Sequence, residues 1–234
     1  MTAEQVERRL RELADDKIAT IARRFFKTGP GQYAEGDQFL GIKVPQVRKV
    51  EREFQGLPVV EAEALLRSPL HECRQLALLL LVRLFTRGND ATQKGIYTLY
   101  LRNTAHINNW DLVDCSAEHI VGGYLRERDR KPLYRLARSK SLWERRISII
   151  ATYHFIKRRD FADTFGIVTQ LLADKEDLIH KAVGWMLREV GKRDLQAEIA
   201  FLAKHYRDLP RTALRYAIER FPEEQLRQYL KGEI

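Results

Sequence analysis

The stretch INNWDLVDCSAEHIVGGYL, residues 107–125, decides how the chain is read. As a helix it sets Val113, Ala117, Ile120, Val121 and Tyr124 at the three-and-four spacing of one apolar stripe. Trp110 and Asp114 are four residues apart, so they stand one above the other on a neighbouring face. A large aromatic side chain and a carboxylate off the apolar stripe need a reason.

Four other stretches resemble this one. HECRQLALLLL, LWERRISIIAT, LIHKAVGWMLR and RTALRYAIERF align with INNWDLVDCSA on the fourth residue, moved one further along in LWERRISIIAT and RTALRYAIERF. The anchors are Arg74, Trp110, Arg146, Lys181 and Arg215, at intervals of 36, 36, 35 and 34 residues. A period in the mid-thirties with two helices per unit marks an α-solenoid of HEAT or armadillo kind, in which each unit buries its apolar stripe against the next. The fold expected is all-α, one continuous domain over residues 1–234 with the second helix of each pair lining a concave face. Helical periodicity gives helices near 2–14, 16–28, 44–54, 58–67, 70–87, 90–103, 108–127, 131–139, 142–158, 161–173, 176–191, 194–207, 211–220 and 222–231. Pro45, Pro58, Pro69, Pro132, Pro210 and Pro222 fall at or just before helix starts, where a missing N–H does no harm. The one long connection, TGPGQYAEGDQFLGIK at 28–43, is glycine-rich and long enough to be suspected of function.

Composition narrows the partners. Forty-one Lys and Arg against 32 Asp and Glu leave a formal charge of +9, which suits a polyanion. Cys73 and Cys115 lie in apolar helical patterns, as reduced, buried thiols would. The opening MTAEQVERRLREL lacks the apolar core of a signal peptide, and the longest apolar run, LALLLLV at 76–82, is too short for a membrane span. A cytoplasmic protein is expected. There is no HExxH, no paired CxxC, no GxxxxGK[ST] and no GxGxxG, so neither a zinc site nor a nucleotide cofactor is signalled.

Four of the five anchors are cationic, and a repeat position recurs on the same surface of a solenoid, so a basic stripe is expected. One turn on, the column reads Leu78, Asp114, Ile150, Trp185 and Glu219. Trp110, Asp114, Arg146, Lys181 and Trp185 thus occupy two adjacent columns over three consecutive units. A lone Trp at helical spacing is usually core, which is the reading for Trp143. Trp185 instead lies off the stripe Ile179, Ala182, Val183, Met186 and Leu187, beside Lys181 and Arg188. Indole faces attract a cation, so exposed tryptophans would favour an alkylated purine bearing positive charge. A carboxylate near the sugar would stabilise oxocarbenium character as an N-glycosidic bond breaks. Surrounding Arg and Lys would hold phosphates without reading sequence.

From GDQFLGIKVPQVRKV through NNWDLVDCSAEHIVGGYL and SLWERRISII to DLIHKAVGWMLREVGKRD, the chain resembles the bacterial DNA alkylation repair glycosylases of the AlkD type. The resemblance implies a HEAT-like protein that releases cationic N3- and N7-alkylated purines from double-stranded DNA. Trp110 and Trp185 then match the cleft tryptophans, Asp114 the catalytic carboxylate and Arg146 a DNA-contacting arginine, with Phe25 the candidate for an aromatic of the N-terminal helices. Arg74, Lys181, Arg188 and Arg215 complete the expected DNA-binding set. No metal or cofactor is implied, and a monomer leaving an abasic site in an uncut strand is expected. Asn109 departs from relatives that carry an aromatic before the first cleft tryptophan. Two other readings stand beside this one: a non-catalytic HEAT-like protein that binds damaged or branched DNA, and a protein-interaction scaffold.

Overall fold

The computed structural model describes all of residues 1–234, and the chain divides into two compact units, Met1–Ile120 and Val121–Ile234. Both are entirely helical apart from turns and one isolated bridge between Gln38 and Leu70.

The first unit contains α1 (Ala3–Arg11), α2 (Asp16–Phe25), α3 (Val44–Glu53), α4 (Val59–Leu66), α5 (His71–Arg87), α6 (Asp90–Arg102) and α7 (Trp110–Asp114). Leu76, Leu78, Leu80 and Leu81 make α5 apolar nearly all round, and such a helix must be covered on every side. Helices α1, α3, α4 and α6 pack against it. The second unit holds α8 (Gly123–Leu125), α9 (Lys131–Ala137), α10 (Leu142–Ala151), α11 (Tyr153–Ile156), α12 (Ala162–Leu171), α13 (Asp177–Gly191), α14 (Leu195–His205), α15 (Arg211–Ala217) and α16 (Glu223–Lys231). Here α9 pairs with α10, α12 and α14 pack on α13, and α13 packs on α10 and α15. This is the repeating helix-pair architecture of an α-solenoid. Gly184 allows the α13–α15 approach, because a Cβ there would meet the carbonyl of Ala213 at 2.3 Å and the Cβ of Tyr216 at 2.5 Å. No helix is long and apolar enough to cross a membrane.

Proline punctuation holds: Pro45 and Pro132 lie in first turns, and Pro58, Pro210 and Pro222 are N-caps. Residues 108–127, expected as one helix, are broken instead. After α7 comes a turn, then a π-helical turn at Glu118–Gly122 and the short α8. Ser116 explains the irregularity: its N–H bonds back three residues to Val113 at 3.1 Å, while its hydroxyl donates to the Leu112 carbonyl at 2.6 Å and meets the Tyr100 hydroxyl at 2.9 Å.

The repeat register also needs correction. Arg74 is the fourth residue of α5, whereas Arg146, Lys181 and Arg215 are the fifth of α10, α13 and α15. The partner of Arg74 is Arg145, also a fourth residue. Arg74 Nη1 donates to the carbonyls of Ser68 and Pro69, and Arg145 Nη1 to those of Ser139 and Lys140, in each case six and five residues back. The fourth residue of α13, His180, bonds the carbonyl of Asp174, again six back. This column ties each helix start to its preceding turn, and the position shared by Arg146, Lys181 and Arg215 is occupied by Gln75 in α5.

Candidate functional site

In the first unit Asn109 caps α7, its side-chain oxygen accepting from the Trp110 N–H at 2.9 Å. Trp110 is partly exposed, as is Asp114 one turn later on the same short helix, where the side chain also has protein partners. Phe25 is 62% exposed at the end of α2, its ring edge-on to Trp110 at 6.0 Å. Behind these lies a run of parallel rings: Trp110 on Phe26 at 5.4 Å, Phe26 on Phe39 at 5.0 Å and Phe39 on His71 at 4.4 Å. Trp110, Asp114 and Phe25 therefore share one aromatic-lined region.

His71 is 2% exposed and lies between two carboxylates, Nδ1 3.0 Å from Asp37 and Nε2 2.8 Å from Asp111. Burial disfavours its charge, but Asp111 and Asp37 outweigh that and raise its pKa from 6.5 to about 9. Burial likewise works against an ionised Asp37, yet the hydrogen bond from His71 and the Arg74 charge hold its pKa below the ordinary value. Arg74 Nη2 donates to Asp37, Asn109 Nδ2 to Asp37 at 3.3 Å and Gln75 Nε2 to Asp111 at 3.1 Å. Arg74, expected as a surface DNA contact, is thus an interior residue with 4% exposure, because its guanidinium neutralises Asp37 and ties the turn before α5.

The loop at 28–43 is fastened by the start of α5. Glu72 accepts from the N–H groups of Leu40, Gly41 and Ile42 at 2.9, 2.8 and 3.1 Å, and the His71 N–H donates to the Gln38 carbonyl at 2.8 Å. Gly41 is required, with φ +81° and the Asp15 carbonyl 2.1 Å from where a Cβ would stand. A basic groove of about 290 Å³ runs along α3 and α5, lined by Arg48, Arg83, Arg87 and His119 around Cys115. Arg83 is committed to Glu51, while Arg48, Arg87 and His119 are exposed. Burial raises the Cys115 thiol far above its ordinary pKa and Cys73 to about 12, so neither is a ready thiolate.

In the second unit Trp185 is partly exposed on α13, with the Tyr153 ring centroid 6.1 Å away. Lys157 and Arg193 stand over Tyr153 at 4.9 and 5.4 Å, making an aromatic and cationic surface that the repeat columns did not single out. Lys181, one turn before Trp185, pairs with Asp177 at 2.8 Å. Arg188 pairs with Glu219, and Arg215 is exposed. Arg146 is 5% exposed, with Nη1 donating to the Leu178 carbonyl, so the continuous basic stripe expected from the anchors reduces here to Lys181 and Arg215. Trp143, expected in the core, is partly exposed.

Sequence reasoning missed Asp37, His71, Asp111 and Tyr153. His71 and Asp111 lie 40 residues apart, near the repeat period, but no local motif joins them.

No curated protein matches the chain. A solved structure described as a predicted DNA alkylation repair enzyme from Enterococcus faecalis has a similar fold, with a TM-score of 0.70 at 17% identity over 90% of this chain and 97% of that one. The family of DNA alkylation repair enzymes matches residues 6–221. With nearly the whole chain matched and the helix-pair architecture shared, the protein belongs to the DNA alkylation repair enzyme family.

Proposed function

We propose that the protein is a monofunctional DNA-alkylpurine N-glycosylase, acting on cationic N3- or N7-alkylated purines in double-stranded DNA. The observation that carries this reading is the pairing of a partly exposed indole, Trp110, with a carboxylate one turn along a capped helix, beside the exposed ring of Phe25. An alkylated purine carries its own activation: its positive charge makes it a leaving group without protonation and draws it to an indole face. Asp114 stabilises positive charge growing on the sugar and orients a water. The C1′–N bond breaks with its electron pair going to the base, which leaves neutral. Water oxygen bonds to C1′, and its proton passes to the carboxylate or solvent. The product is an abasic site.

In the second unit, Trp185 offers a further aromatic face, and Lys181 and Arg215 supply cations for phosphates. The raised thiol pKa values of the buried Cys73 and the partly exposed Cys115 argue against the other chemistry open to an alkylation repair protein, direct alkyl transfer to cysteine, which needs a ready thiolate. A non-catalytic protein that binds damaged or branched DNA is the second reading, and the basic groove with Arg48 and Arg87 would serve it equally.

Incubating the protein with DNA containing 7-methylguanine and measuring free base tests the proposal. Release above spontaneous depurination is expected, and its absence with DNA affinity retained would favour the binding protein. Asp114→Asn should slow excision more than about tenfold, over ~1.4 kcal/mol of barrier, with DNA affinity nearly unchanged.

A further inference from the structure

We infer that Asp37, His71, Asp111 and Arg74 form a positioning ring that fixes the first turn of α7 and so sets the orientation of the Trp110 ring and the Asp114 carboxylate. This inference rests on the reading of Trp110 and Asp114 as the reacting pair.

Hydrogen-bond inventory, together with the surrounding charge that keeps Asp37 ionised and raises His71, sets the state of the ring. A neutral imidazole has one N–H, and an ionised carboxylate only accepts. Both nitrogens of His71 face carboxylates at hydrogen-bond distance, so both donate and the ring is an imidazolium. With Arg74 on the other oxygen of Asp37, two negative and two positive charges close on one another.

The bonds made by Asp111 and Asn109 bear directly on the start of α7. Asp111 is the second residue of the helix, and its other oxygen accepts from the Leu112 N–H at 2.9 Å. Asn109, the N-cap, reaches Asp37 with its amide nitrogen while its oxygen holds the Trp110 N–H. Gln75 adds a third donor to Asp111, beside His71 and the Leu112 N–H. A helix of five residues has little stability of its own, so these bonds determine where it starts and how it is turned. The Phe39 and Phe26 rings carry the constraint from His71 to Trp110. Asp37 belongs to the 28–43 loop, which gives that loop a role in holding the site.

Energetics favours orientation as the purpose. Buried ion pairs are commonly no more stabilising than apolar packing of equal volume, because desolvation offsets their attraction. They differ from such packing in demanding one geometry, and a catalytic carboxylate needs placement to a fraction of an ångström.

The charged groups facing His71 are Asp37 from the loop and Asp111 from α7, with Arg74 beyond Asp37; Phe26 and Phe39 cover its faces. Two measurements test the inference. In the first, His71→Gln and Asp111→Asn are assayed on 7-methylguanine DNA, with kcat separated from DNA Kd. A fall in kcat of about tenfold with Kd within about twofold is expected, where a purely structural role would lower Tm but leave turnover per folded molecule intact. In the second, Trp110 emission is followed from roughly pH 6 to 10 in full-length protein carrying Trp143→Phe and Trp185→Phe. A transition near pH 9 is expected, absent when His71→Gln is added. The second measurement needs neither activity nor a folded His71 variant to show the transition. Wild-type kcat in folded His71→Gln, or flat Trp110 emission, overturns the ring. If unaltered protein releases no base, the glycosylase reading falls, and the emission titration alone decides.

Discussion

The two units solve the same packing problem with charge placed differently. In Met1–Ile120 an imidazolium and a guanidinium are sealed in the interior with two carboxylates, beside a run of aromatic rings. In Val121–Ile234 the ion pairs are separate: Arg130 holds the part-exposed Asp160 and Asp163 at 2.6 and 2.7 Å, and Arg193 holds the buried Glu189 at 2.8 Å. Two deeply buried carboxylates of the second unit contrast: Glu189, 4% exposed, is held by both Lys192 and Arg193, whereas Glu198 is less well matched. Glu198 is 2% exposed with one carboxyl oxygen unbonded, and the Nε of nearby Arg188 also lacks a partner. The first unit joins its buried charges in one cluster of four side chains, in which Arg74 Nε lacks a partner, and the second holds its charges in separate small groups. A linked cluster that joins the 28–43 loop, α5 and the start of α7, more than the number of ionic contacts, therefore indicates where geometry is being enforced.

The largest effect should come from opening the linked cluster. Asp37→Ala leaves Arg74 and His71 facing a void and should destabilise the protein by about 3–5 kcal/mol. Asp160→Ala should cost no more than about 1 kcal/mol, since Asp160 is substantially exposed and Arg130 keeps Asp163. Urea denaturation of both variants, with hydrogen exchange to assign the loss to a unit, makes the comparison. Equal losses would show that burial does not separate the two kinds of pair.

This contrast also explains what was legible in the sequence. Helix positions, proline starts and the repeat period follow from local rules, because an apolar stripe or an N-cap acts within a few residues. Trp110 and Asp114 were visible for the same reason, being one turn apart. Arg74 was misread because alignment on a cationic letter cannot distinguish the fourth residue of a helix, which bonds back to the preceding turn, from the fifth. His71 looked like one scattered histidine, since its two carboxylates come from a loop and from a helix in other parts of the chain. Burial created that cluster, and burial is a property of the packed chain. The break after Asp114 depends on Ser116 meeting Tyr100, again a tertiary contact.

A second, smaller effect separates the units by pH. His71 is raised from 6.5 to about 9, so its contribution is complete below 6.5 and is lost as pH rises through 9. Glu198 is raised by burial from 4.5 to about 8, against the Arg188 charge, and stays neutral in the fold while its unfolded form ionises. Its penalty begins at 4.5 and is fully developed by 8. Stability should therefore decline in two stages as pH rises, first in the second unit by up to roughly 5 kcal/mol and then in the first by up to roughly 3 kcal/mol. Glu198→Gln should remove the first stage, matching wild type near pH 4.5 and exceeding it at pH 8. Melting curves across that range test the assignment, and a first stage that persists in Glu198→Gln would refute it.

The smallest effect compares one backbone feature in both units. Lys27 and Arg159 follow helix ends in the left-handed region, at φ 55° and 60°, where residues other than glycine are strained. Each closes a turn in which the next N–H reaches back five residues, Thr28 to Arg23 and Asp160 to Phe155. Their side chains differ: Lys27 is exposed, whereas Arg159 donates to the Arg193 carbonyl at 2.6 Å and to Asp194 at 3.3 Å. Lys27→Gly should relieve strain and stabilise the protein by about 0.5–1 kcal/mol after glycine's entropic cost. Arg159→Gly gains the same relief but loses bonds worth about as much, so its change should be close to zero. Chemical denaturation of the two variants reads the difference directly. A gain at Arg159→Gly equal to that at Lys27→Gly would mean that the Arg159 contacts contribute nothing beyond what water supplies.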